Sequence, residues 1–231
     1  MSEVPSTLVR RLWLHYVDWV YAAYWEARHA IAPRATHDFT SGSLVPVLLL
    51  PGVYETWRFL EPVAALANAL GHPVHVVPSF GYNRGSIPSM AELAQRYLDD
   101  NDLRDVIIIA HSKGGLIGKH MMVTDDTDGR IARIITVNTP FGGSVWARYA
   151  LRRTLREFSP NDVTLAALTG LSASNARITS IYSADDPIIP GGSELAGAVN
   201  ITLPLVGHFR VLSSPLLLST IRHLLRPPAG P

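Results

Sequence analysis

The sequence predicts an α/β domain with a mostly parallel central sheet of about six strands flanked by helices. Short apolar runs bounded by turn residues alternate with segments of helical spacing, as strand–helix crossovers require. Those runs are apolar at consecutive positions, which fits strands covered on both faces. At 231 residues the chain has the length of one such domain and can bury a large core without staples.

In chain order, Leu8 to Ile31 has helical spacing and is rich in Leu, Val, Trp and Tyr. His15, Asp18, Glu26 and Arg28 interrupt it, which argues against both a signal peptide and a membrane span. The expectation is an amphipathic helix packed on the domain. A sharper reading makes it an interfacial helix, with Trp13, Trp19 and Trp25 near lipid and Arg10 and Arg11 at head groups. Pro33 to Ser43 is a polar connector. Strands are expected at Val45–Leu50, Val74–Val77, Val106–Ala110, Ile131–Val137, Ile178–Tyr182 and Val199–Leu203. Helices are expected at Trp57–Leu70, stopping at Gly71; at Ser89–Leu98, with Ser89 as N-cap; at Gly114–Val123; and at Ser213–Leu225. The division is an N-terminal helix and connector over 1–43, a main domain over 44–226 with a cap-like insertion at 144–176, and a disordered tail over 227–231.

Composition narrows the function. Hydrophobic residues make up 47% and charged residues 17%, which is globular. A formal net charge of +1 implies no nucleic-acid partner. With no cysteine, disulfides, thiolate metal sites and a cysteine nucleophile are excluded. The expected location is cytoplasmic, with membrane association under the interfacial-helix reading.

The most informative stretch is Ala110-His111-Ser112-Lys113-Gly114-Gly115, where a strand ends and a helix begins. A serine on such a turn needs small residues two before and two after it, because side chains would collide across the turn. Ala110 and Gly114 supply them. The turn lifts the hydroxyl clear of the sheet, and the following helix N-terminus favours an oxyanion.

A serine hydroxyl needs a base to take its proton and an acid to orient that base. On elbows of this kind the acid and then the histidine follow the serine in chain order. Well downstream, His223 falls inside the last helix, whereas His208 follows a strand in Gly207-His208-Phe209, so His208 is the candidate base. For the acid, Asp185 and Asp186 both follow the fifth strand; Asp186 is preferred because Pro187 stiffens the turn after it. His111 is read as a packing or hydrogen-bonding residue, since its ring points away from the serine. The oxyanion donors are expected to be the backbone N–H of Lys113 and of Val53, in the loop after the first strand, with Gly52 letting the backbone turn. Tyr54 and Phe141 are expected to contact substrate.

Pro51-Gly52, Ala-His-Ser-Lys-Gly-Gly, Asp186-Pro-Ile-Ile-Pro, Gly-His208-Phe and Asn138-Thr-Pro-Phe-Gly-Gly-Ser144 together resemble lipase-like α/β-hydrolases over residues 44 to 225. The resemblance implies the α/β-hydrolase fold, with Ser112 as nucleophile, His208 as base and Asp186 as acid. Two features depart from the family: the usual His-Gly of the oxyanion loop is Pro51-Gly52 here, and the early antiparallel strands are replaced by the N-terminal helix.

The expected activity is carboxylic-ester hydrolysis through an acyl-enzyme, on a small-molecule or lipid ester, with no cofactor and no metal. Two alternatives stand beside it: acyl transfer through the same triad, and a non-enzymatic interaction protein on a hydrolase fold. Asp125, Asp126, Asp128 and Gly129 suggest a calcium loop, but Thr124 and Ile135 occupy positions where that loop needs acids, so a solvated turn is expected.

Overall fold

The computed structural model describes residues 7–31, 36–150 and 152–226. The expected tail over 227–231, and residues 33–35 of the expected connector, lie outside the described residues.

Six strands form one sheet: β1 (Val47–Leu50), β2 (Val74–Val76), β3 (Val106–His111), β4 (Ile131–Val137), β5 (Ile178–Asp185) and β6 (Val199–Val206). Their spatial order is β2-β1-β3-β4-β5-β6, and every neighbouring pair is parallel, so the sheet is wholly rather than mostly parallel. After β2 the chain crosses back over β1 to build β3 to β6 on the other side. The order therefore reverses between β1 and β3, and the carboxyl ends of those strands flank a crevice, the usual ligand position in an open α/β sheet.

Successive residues of the central strands bury on opposite faces. Val106, Ile108 and Ala110 join one core with α3 (Ile87–Asp100), α4 (Lys113–His120) and α6 (Val163–Gly170). Ile107 and Ile109 join a second core with α2 (Glu61–Ala69), α7 (Pro215–Leu225) and Trp25 of α1 (Thr7–Ile31). A short α5 (Arg153–Arg156) lies between β4 and β5.

Most expected elements are present with shifted ends. α3 starts earlier, with Ser86 as N-cap accepting the Ser89 N–H, because Pro88 fits a first helical turn, where its missing N–H costs nothing. Trp57–Leu60 is a separate 3₁₀ turn before α2. β5 and β6 each run three residues further than expected, carrying the chain up to the site.

α1 lies on the domain in an unexpected orientation. Asp18, a charged residue fully buried (0% exposed), points inward with Trp25, while Trp13, Tyr16 and Trp19 are each more than half exposed. Trp25, expected near lipid under the interfacial reading, instead belongs to the second core. No described helix is long and apolar enough to cross a membrane.

Candidate active site

Ser112 sits between β3 and α4 at φ 49° and ψ −120°, a conformation that L-residues rarely adopt and that marks a strained turn. Two bonds fix the turn: the Ser112 N–H donates to the Val137 carbonyl at 2.9 Å, and the Thr139 hydroxyl donates to the Ser112 carbonyl at 3.0 Å. The glycine that the sterics of the turn call for, Gly114, is confined, and so is Gly115 beside it. A Cβ at Gly114 would strike the Leu50 carbonyl oxygen, and one at Gly115 the Thr139 hydroxyl.

His208 and Asp186, 22 positions apart in sequence, are joined: the His208 Nδ1–H donates to Asp186 Oδ2 at 2.7 Å. The other Asp186 oxygen accepts the N–H groups of Ile188 (2.8 Å) and Ile189 (3.1 Å). Burial opposes ionisation of Asp186, but the facing imidazole and these donors outweigh it and hold the carboxyl below its ordinary value. Burial likewise opposes the charged form of His208, yet the Asp186 carboxylate prevails and raises the imidazole above its ordinary value. Asp185, the other candidate acid, faces away toward His15, 3.8 Å from its ring.

Ser112 and His208 line one cavity of about 720 Å³. Its walls are mainly apolar: Trp19 and Ala22 from α1, Val53 and Phe59, Trp146, Leu155 and Phe158 from the segment after β4, and Ile188 and Ile189. Among the described residues no hydrogen bond joins the Ser112 hydroxyl to the His208 ring. Contacts of this kind commonly tighten once substrate is in place.

Tyr54 lines the cavity, with its hydroxyl 3.0 Å from that of Thr154. Phe141 does not. It is buried in the first core, and its neighbours Pro140 and Ser144 face the cavity instead. The chain turns here, with Gly143 at φ 82° donating its N–H to the Pro140 carbonyl at 3.0 Å. The amides of Val53 and Lys113 make no hydrogen bond among the described residues, while the Gly52 amide is engaged by the Glu55 carboxylate at 2.8 Å. The Lys113 side chain is buried and donates to the carbonyls of Asn83 and Gly85, so it braces the 81–85 loop; burial pushes its pKa down to about 8.

Sequence reasoning missed two acids. Glu55, 2% exposed, is hydrogen-bonded to His111 Nδ1 at 2.8 and 2.9 Å. The other nitrogen of His111 donates to the His208 carbonyl at 3.0 Å. His111 thus bonds to the histidine loop's backbone, in keeping with its expected role. Asp18 reaches the same loop from α1. A charged residue amid the apolar stretch of α1 was the available signal for Asp18; nothing in sequence named its partner. Asp126, in the suspected calcium loop, accepts the Arg130 and Ile131 amides and so shapes the turn before β4.

A family model described as the PGAP1-like alpha/beta domain matches residues 86–157, which include the Ser112 turn. Among solved structures, the mature Bacillus licheniformis lipase BlEst2 is similar over 81% of this chain and 97% of its own, at 14% identity and a TM-score of 0.63. An extracellular alpha/beta-hydrolase from a Paenibacillus species is similar over 78% of this chain and 98% of its own, at 16% identity and a TM-score of 0.57. A structure from work on carboxylesterases of the thaumarchaeon Nitrososphaera gargenis matches over 78% of this chain and 89% of its own, at 17% identity and a TM-score of 0.55. With the six-stranded parallel sheet, these likenesses establish the α/β-hydrolase fold.

Proposed function

We propose that the chain is a serine carboxylic-ester hydrolase. The observation that carries this is the His208–Asp186 pair at 2.7 Å, with His208 sharing a cavity with a serine held at positive φ. In this reading the neutral His208 Nε2 takes the Ser112 proton as the hydroxyl oxygen attacks the ester carbonyl. Asp186 holds the Nδ1–H tautomer and stabilises the imidazolium. The tetrahedral oxyanion is received by the amides of Val53 and Lys113. Collapse expels the alcohol, which takes its proton from His208. Water, deprotonated by the same imidazole, then releases the acid from the acyl-enzyme. The apolar walls suit an acyl chain, and the 144–176 segment acts as a cap.

Fluorophosphonate labelling that is lost in Ser112→Ala, together with hydrolysis of p-nitrophenyl esters across acyl lengths, tests the reading. No labelling of the native chain would leave a non-enzymatic interaction protein. Ester products formed with added alcohol, in place of free acid, would leave acyl transfer.

We also propose that the outer face of α1 rests on an anionic lipid surface. Its exposed Trp13, Tyr16 and Trp19 support this, as Trp and Tyr favour the membrane–water boundary. Trp19 also lines the cavity, and Arg84 and Arg152 flank Tyr54 at the cavity wall, with guanidinium carbons 5.5 and 5.4 Å from its ring centre. Co-sedimentation with phosphatidylglycerol vesicles, weakened in Trp13→Ser/Tyr16→Ser, is the expected result. A dimer in light scattering that the same substitutions dissociate would refute it.

A further inference from the structure

The polar backbone groups of His208 are held from three distant parts of the chain. On one side stands Asp18. Its carboxylate accepts the N–H groups of His208 (2.8 Å), Phe209 (2.9 Å) and Arg210 (2.7 Å), three consecutive amides some 190 positions away. The fit is close: a Cβ at Gly207, whose φ is 119°, would lie 2.6 Å from Asp18 Oδ1. On the other side, the His208 carbonyl accepts hydrogen bonds from His111 Nε2 and from the Asn138 amide, each at 3.0 Å.

We propose that Asp18 is a positioning residue for His208, which makes the N-terminal helix a working part of the active site. This rests on the hydrolase reading above. A buried carboxylate that accepts three charge-assisted hydrogen bonds from one loop fixes that loop far more tightly than neutral contacts would. Burying a charge costs free energy unless such partners satisfy it, so the helix and the loop hold each other. Asp18 touches no reacting atom. Its effect is to hold the His208 main chain, and through it the ring, where Nε2 can serve Ser112. Proton transfer tolerates little misplacement, and a shift of about 1 Å can cost on the order of a hundredfold in rate. The same helix lends Trp19, Ala22, Ala23 and Glu26 to the cavity wall, so one element both lines the pocket and holds the histidine loop.

Among the described residues, Asp186 after β5 bonds to the His208 ring and His111 on β3 packs against it, while the carboxylates of Glu55 after β1 and Asp18 on α1 act on it through their charge. The three carboxylates favour its charged form. Removing the Asp18 charge therefore also moves the acid limb of the pH–rate profile to lower pH.

The test compares Asp18→Asn with the native chain. Its amide cannot accept three N–H groups and sets a donor against them. The expected result is a kcat lower by about tenfold to a hundredfold with KM within about threefold, an acid limb displaced downward, and lost hydrogen-exchange protection at residues 208–210. Asp18→Ser, smaller and keeping one acceptor, is expected to fall between the two and serves if Asp18→Asn does not fold. A variant with native kcat and native pH profile, whatever its melting temperature, overturns the inference. Exchange at 208–210 is read without activity: failure of the native chain to hydrolyse esters or take the fluorophosphonate sinks the hydrolase reading alone, while unprotected amides in the native chain sink the Asp18 inference alone.

Discussion

Replacing Asp186 by Asn keeps the side-chain shape and changes one hydrogen bond. The Ile188 and Ile189 amides, 2.8 and 3.1 Å from Asp186 Oδ1, hold an oxygen at that position in either residue. The new NH₂ group must then face His208 Nδ1, where a carboxylate oxygen now lies at 2.7 Å. Two donors cannot share that contact, so the imidazole moves its hydrogen to Nε2, the nitrogen that accepts the Ser112 proton in the proposed reaction. The base is then the wrong tautomer, and the negative charge that stabilises the imidazolium is gone. Together these are expected to lower kcat by about 10³–10⁴, or roughly 4–5.5 kcal/mol of barrier, with KM little altered. Steady-state p-nitrophenyl ester hydrolysis measures this directly, with circular dichroism confirming the fold and Asp185→Asn as the matched control. Activity of Asp186→Asn within tenfold of native, or a larger loss in Asp185→Asn, would refute the assignment.

The pH dependence follows from the same pair. In the proposed reaction His208 must be neutral to act, and its pKa is raised, so kcat/KM is expected to climb with pH through a midpoint above the ordinary imidazole value of about 6.5; a midpoint below it would contradict the geometry. For stability, the raised His208 contributes fully below pH 6.5 and loses its contribution as pH rises through its folded value, whereas the lowered Asp186 contributes above pH 3.8 and loses it on acidification. The pair therefore stabilises most between those limits, and Asp186→Ala is expected to narrow its melting-temperature gap to native at alkaline pH. Gly114→Ala places a methyl against main chain, including Leu50 C at 2.7 Å and Pro51 O at 2.9 Å, which cannot swing aside; a loss of at least ~1–3 kcal/mol and of activity is expected by thermal melts and ester assay. Gly118→Ala meets only side-chain atoms at 3.3 Å and beyond, and is expected to be milder. Glu55→Ala leaves the buried His111 Nδ1 and the Gly52 amide without their hydrogen-bond partner, at a cost of about 1–3 kcal/mol for each group in thermal melts.

The fold and the chemistry-bearing triad candidates were legible in the chain because their signals are local. Consecutive apolar residues mark strands buried on both faces, and the small residues around Ser112 mark a turn whose sterics depend only on its own backbone. His208 and Asp186 could be named because each follows a strand whose end lies at the same edge of a parallel sheet. Phe141 could not be placed, since whether a ring beside a turn faces a cavity or the core depends on the turn's dihedral angles and on what packs beneath it. Glu55 and Asp18 were beyond reach for a different reason. Each is a buried carboxylate whose meaning lies in the groups that satisfy it, and those groups are supplied by distant segments. Asp18, read along the chain, is only a charge that spoils an apolar helix; folded, it accepts three amides of the histidine loop. Local sterics and hydrophobic pattern settle which elements form and where the candidate side chains sit on them. The partners of a buried charge are settled only when the whole chain has closed around it.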